Sequence, residues 1–187
     1  MTAAVVTGSR LVAYDENDGA VPLFQTADGA EIARRLGEVG VRFERWAAEA
    51  PLAADAASDA VLAAYGSSVK RVQSDGGYQT VDVIRLAKGT PDTGPMRAKF
   101  LSEHLHTEDE VRFFVAGSGA LYLHLGGKVY QVICVRGDLI SVPANTLHWF
   151  DMGPDPEFTA IRFFNNTEGW VAQYSGDAIA GRFPKYE

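Results

Sequence analysis

The chain has one cysteine, Cys134, among 187 residues. A single thiol excludes an internal disulfide and any cysteine-rich zinc cluster, and it fits a reducing compartment. Long hydrophobic runs are missing too: none approaches the roughly 18 apolar residues that a membrane span requires. The opening MTAAVVTGSR puts no basic residue ahead of an apolar stretch, so it makes a poor secretory signal. The cytoplasm is therefore the expected location. Basic residues are in deficit, with 17 Lys and Arg against 24 Asp and Glu, for a net charge of -7. Without a basic run, neither nucleic acid nor a membrane surface is an expected partner. Histidine is scarce as well: His104, His106, His124 and His148, all in the second half.

What is present reads as a globular chain of single-domain size, 47% hydrophobic and 22% charged. Leu11–Asp15 reads as a strand, and Thr26 or Asp28 can cap a helix running to about Leu36. Val41–Trp46 opens with strand-like alternation. Helices are expected over Ala53–Tyr65 and near Ser67–Gln73, before the Gly76-Gly77 break. Thr80–Leu86 is a strand by its β-branched content. Lys88–Pro95 reads as a loop. Beyond it come short apolar runs at Val111–Val115, Ala120–Leu125, Val129–Val135, Leu139–Val142 and Phe158–Phe164, separated by glycine and proline signals. Short strands at this spacing suggest an antiparallel sandwich or barrel. The expectation is one domain over 1–187, with a mixed α/β part at 1–99, a barrel core at 100–170 and a C-terminal tail at 171–187.

The histidines carry the chemistry. An extended chain points His104 and His106 to one side, and Glu110 has the same parity. A straight strand would separate His104 from Glu110 by about 20 Å, too far for one ion with bonds near roughly 2 Å. Shared ligation therefore requires a corner at Thr107-Glu108-Asp109, which is polar and turn-prone. His148 lies 42 residues beyond His106, after Gly137, Pro143 and Asn145. A turn there would start a new strand near His148 and complete a set of three His and one Glu. Such a set suits Fe(II), Ni(II), Co(II), Mn(II) or Zn(II). His-X-His alone also occurs on exposed strands that bind nothing; the Glu at +4 and the Gly137-x5-Pro143-x4-His148 segment shift the reading to a metal.

Neighbouring residues follow from these. Arg112 shares a face with Glu110, and a buried guanidinium needs an anion: substrate oxygen, Glu103 or Asp109. Glu103 is also a candidate to accept the second N–H of a ligand imidazole. Arg162 shares a face with Phe158, Ala160 and Phe164, as an inward, paired arginine would. His124 alternates with Leu121, Leu123 and Leu125 and is expected to be structural or solvent-facing. Cys134, in VYQVICV, reads as a small buried hydrophobe.

His104-x-His106-x3-Glu110-x6-Gly117 and Gly137-x5-Pro143-x4-His148 resemble the two metal motifs of the cupins. Ala98, Asn145 and Met152 stand where those motifs usually carry Gly, Gly and Asn. The strings EHLHTEDEVRFFVAGSG, GDLISVPANTLHWF and AIRFFNNTEGWV are more narrowly similar to the acireductone dioxygenases of methionine salvage, from about Leu11 to Trp170. That resemblance implies a mainly β fold, a cupin-type double-stranded β-helix (jelly-roll barrel) with N-terminal helices packed on it. It implies one Fe(II) or Ni(II) per chain on His104, His106, Glu110 and His148. It also implies catalytic roles for Arg112 and Arg162, substrate contact by Phe100, Phe150 and Trp170, supporting roles for Glu103 and Asp109, and a monomer acting on an acireductone and O2. The alternatives are another metal-dependent cupin activity, such as a sugar isomerase, or a non-catalytic metal-binding module.

Overall fold

The computed structural model describes residues 8–53, 55–166, 168 and 171–187. Hairpin β1 (Arg10–Asp15) and β2 (Asp18–Thr26) leads into α1 (Gly29–Gly37) and β3 (Arg42–Arg45). Next come α2 (Ser58–Ala64), α3 (Gly66–Gly76), β4 (Thr80–Leu86) and α4 (Thr93–Phe100). The second half holds β5 (His104–Leu105), β6 (Glu110–Leu125), β7 (Lys128–Val135), β8 (Asp138–Val142), β9 (Leu147–Asp151), β10 (Phe158–Phe164) and β11 (Gln173–Tyr174). A 3-10 turn at Ile179–Arg182 precedes the C-terminus.

Two antiparallel sheets share β6. Its C-terminal half pairs with β7 and β9, in a sheet ordered β11-β5-β9-β6-β7-β1-β2. Its N-terminal half pairs with β8 and β10, which are flanked by β3 and β4. The result is the expected mainly β jelly-roll barrel of the cupin type, with N-terminal helices packed on it. Gly117 allows one strand to serve both sheets. It sits at φ +64°, and a Cβ there would lie 1.8 Å from the Glu157 carbonyl oxygen. Just before it, Ala160 faces Phe114 while Thr159 faces Ala116, so Val115 is an extra, bulged residue. A bulge flips strand parity. Phe114 and then Leu121 and Leu123 enter the barrel core with Ile140, Phe150 and Ala160. Val111, Phe113 and Val115 instead pack under Val61, Tyr65 and Val72 of the helices.

Several local expectations hold in detail. Asp28 caps α1, its Oδ1 accepting Glu31 N–H at 2.8 Å. Gly126 and Gly127, at φ +62° and +74°, close the β6–β7 hairpin. Others do not. Val111–Val115 and Ala120–Leu125 are one strand, because Gly117 and Gly119 bend it rather than end it. Asp18–Thr26 forms edge strand β2, where Pro22 is tolerated because one side of the strand has no partner. The expected loop Lys88–Pro95 gives way to α4 from Thr93, with Pro95 in the first turn, where no helical N–H is required. Helix α2 begins at Ser58 rather than Ala53: the Ala53 and Ala56 carbonyls accept from Arg85 instead.

Candidate metal centre

The first sheet brings the histidines together. His104 on β5 lies directly opposite His148 on β9, and His148 in turn faces Leu123 of β6. The chain bends at Thr107 and Glu108, the corner that the spacing demanded, and returns as β6 with Glu110 at its start. Two contacts fasten this corner to the turn before β9. Asn145 N–H donates to the His106 carbonyl at 2.8 Å, and Ala144 N–H donates to Asp109 Oδ1 at 2.8 Å. Asn145 itself sits at φ +61°, the left-handed conformation its side chain tolerates. The three histidines thus present nitrogen atoms within 4.8 Å of one another. Glu110 Oε2 lies 3.3 Å from His106 Nε2 and 3.5 Å from His148 Nε2.

Hydrogen bonding fixes the chemical form of this cluster. His104 Nδ1 meets the Ser102 carbonyl at 2.7 Å, His106 Nδ1 the Val171 carbonyl at 3.2 Å, and His148 Nδ1 the Thr146 carbonyl at 2.7 Å. A carbonyl oxygen only accepts, so each Nδ1 carries the proton and each Nε2 presents a bare lone pair. Burial, then the neighbouring His148, lowers the His104 pKa to about 4, which keeps that ring neutral near pH 7. Burial alone would raise the Glu110 carboxyl, yet the Arg112 guanidinium beside it holds it well below the usual carboxylate range. Glu110 Oε2 and His148 Nε2 remain buried without a hydrogen-bond partner. Converging lone pairs and a carboxylate repel one another unless a cation lies among them, and this donor set suits a divalent transition ion.

A cavity of about 370 Å³ opens onto the cluster. Phe100, Phe150 and Phe164 form apolar walls, with Phe100 and Phe150 edge to face at 6.1 Å. Gly119 makes room for Phe150, since a Cβ there would lie 2.5 Å from the ring. Arg112 and Arg162 both line the cavity and stand directly opposite each other on β6 and β10. Such a like-charge pair is unfavourable unless each cation has its own anion. Arg112 bonds Glu110 Oε1, and Arg162 grips Asp82 of β4 through two bonds of 2.9 and 2.6 Å.

Some expected roles change. Glu103 touches neither a metal-facing imidazole nor Arg112; its carboxylate meets His124 and Ser175, because the imidazole protons already go to main-chain carbonyls. Asp109 likewise pairs with no arginine and holds the Ala144 amide instead. His124, by contrast, keeps its expected place outside the cluster, bridging Glu103 and Glu16. Trp170 lies outside the described residues. Sequence reasoning missed Asp82, Lys99 and Tyr174. Asp82 needed the β4–β10 register to be known, and Lys99 and Tyr174 needed α4 and β11.

Comparison with known proteins agrees with this geometry. The model of the ARD/ARD' family matches residues 11–172. A Parvibaculum lavamentivorans protein named acireductone dioxygenase is 55% identical over 96% of this chain and 97% of its own length. A Pseudomonas aeruginosa protein of the same name is 56% identical over 96% and 99%. Among solved structures, acireductone dioxygenase from Bacillus anthracis, with a cadmium ion in its active centre, superposes with a TM-score of 0.77. It shares 32% identity and covers 92% of this chain and all of its own.

Proposed function

The chain belongs to the ARD/ARD' family, and on that premise we propose that it is an acireductone dioxygenase of methionine salvage. It would cleave 1,2-dihydroxy-3-keto-5-methylthiopentene with O2 at a single Fe(II) or Ni(II). With Fe(II) the products would be formate and 4-methylthio-2-oxobutanoate; with Ni(II), formate, carbon monoxide and 3-methylthiopropanoate. The observation that carries the reading is the buried convergence of three Nε2 lone pairs and Glu110 Oε2 at the floor of a cationic, aromatic cavity.

His104, His106, His148 and Glu110 would hold the ion, which supplies Lewis acidity toward a deprotonated enediol when bound. The chain's other residues bind and orient. Arg112 keeps the Glu110 carboxylate ionised and pointed, and its guanidinium lies 4.7 Å from the centroid of the Phe150 ring. Its catalytic role is to hold the anionic oxygens of the substrate in one orientation. Arg162, locked by Asp82, adds a second cation on the same wall. Phe100 and Phe150 would receive the methylthio tail and exclude water; Trp170 is assigned there by family resemblance. These parts come from α4, the barrel and the segment after β10, which supports a chain working as one unit. Monomeric, cytoplasmic action completes the proposal; no described helix is long and apolar enough to cross a membrane.

The test is oxygen-dependent loss of the ultraviolet absorbance of anaerobically prepared acireductone, with enzyme loaded with Fe(II) or Ni(II). Carbon monoxide from the nickel form would identify its product set. No absorbance change with either metal would sink the proposal.

A further inference from the structure

Beside the donor set runs a chain of hydrogen bonds that the proposed reaction does not use. Glu103 is 3% exposed. Its Oε1 accepts from His124 Nδ1 at 2.6 Å, and His124 Nε2 donates to Glu16 Oε2 at 3.0 Å. Both neighbours of that ring are carboxylates, so both ring nitrogens carry protons and the ring is an imidazolium. The direction of its pKa agrees: burial lowers it, but the bonds to Glu16 and Glu103 outweigh burial and leave it raised. At its other end Glu103 holds Ser175 twice. The Ser175 hydroxyl donates to Oε2 at 2.6 Å, and Ser175 N–H donates to the Glu103 carbonyl at 3.0 Å.

Ser175 ends the segment 171–175, which forms one side of the cavity. Val171 and Tyr174 line it, the Val171 carbonyl takes the His106 Nδ1 proton, and the Tyr174 ring stands edge-on to His104 at 5.8 Å. Among the described residues, this segment's strand pairing is β11, two residues long, matching Gln173 with Leu105 and Tyr174 with His104. So short a strand contributes little stability of its own. We infer that Glu103 is a positioning residue. By gripping Ser175, with His124 balancing its charge, it fixes segment 171–175 against His104 and His106 and so sets how firmly the centre retains its ion and how well the cavity fits its substrate. The inference rests on the metal-centre reading given above.

The test compares Ni(II)-loaded wild type with Ser175→Ala, Ser175→Thr and Glu103→Gln. Two quantities are read: the rate at which a chelator strips Ni(II), and the KM and kcat for acireductone. Ser175 is exposed, so its truncation spares the core even where Glu103→Gln fails to fold. Ser175→Ala should release Ni(II) about tenfold faster, in the range for groups that support a ligand. Its KM should rise severalfold with kcat little changed, while Ser175→Thr, which keeps the hydroxyl, restores both. Wild-type release and KM in Ser175→Ala would overturn the inference, as would a fall in thermal stability alone. If wild type retains Ni(II) but turns over no acireductone, the proposed activity fails while the release rates still decide the positioning role. If wild type binds no Ni(II), both fall.

Discussion

Replacing His148 by alanine removes a lone pair that no neighbour can supply, because the rings of His104 and His106 already present theirs. His148→Ala should lose metal affinity by more than about 100-fold, beyond the range for supporting groups, and oxygen uptake with it; metal analysis of the purified variant checks this. His124 makes a different prediction. Its folded pKa is raised above 6.5 by Glu16 and Glu103 acting against burial. Its contribution to stability is therefore full below 6.5 and is lost as pH rises through the raised value. The gap in thermal midpoint between wild type and His124→Gln should be widest in mild acid and close toward alkaline pH. A gap constant with pH would refute this. The sequence announced the first of these residues and placed the second outside the donor set without showing its partners. His104, His106 and Glu110 betray themselves by parity and by the corner between them. His124 shows only which way it faces, and its partners lie 21 and 108 residues away.

Helix α4 delivers Lys99 and Phe100 to the cavity, yet it buries no residue fully and so has little packing of its own. An ion pair anchors it. Arg97 bonds both oxygens of the fully buried Asp151 at 2.7 and 3.1 Å and reaches the Tyr186 carbonyl at 2.9 Å. Arg97→Met strands the Asp151 charge and should cost about 3–5 kcal/mol in denaturant unfolding, with a raised KM because Phe100 loses its mooring. Strand β6 offers the second test at this scale. Gly117→Ala drives a methyl group into the Glu157 carbonyl at a positive φ, so it should destabilise by more than about 2 kcal/mol, against near-neutrality for an exposed strand glycine. Apolar alternation was enough to find most strands. It was silent on α4, whose apolar residues follow no helical stripe, and it cut β6 in two, because a glycine that bends a strand has the same letter as one that ends it.

Across the whole molecule, the centre joins β5, β6 and β9, so an ion there would cross-link donors up to 44 residues apart, from His104 to His148. A ligand that binds only the folded state stabilises by mass action. At a thousandfold excess over Kd the gain is about 4 kcal/mol, or about 8–16 °C in thermal midpoint for a chain of this size. Ni(II) loading followed by chelation in a calorimeter should show this rise and its reversal. Cupin class was legible because two short motifs specify it. The pairing of Arg162 with Asp82 was not, since it depends on the register of two strands whose partners stand 80 positions apart in the chain.

The three metal-facing imidazoles hand their outer protons to the main chain at Ser102, Thr146 and Val171. A backbone acceptor survives every point mutation of the residue that carries it. The tautomer that makes the centre a centre is thus inherited from the path of the chain, not from any side chain that drift can erase. Substitutions in the apolar walls at Phe100 and Phe150 can therefore change what the cavity accepts while the three imidazoles keep their tautomer.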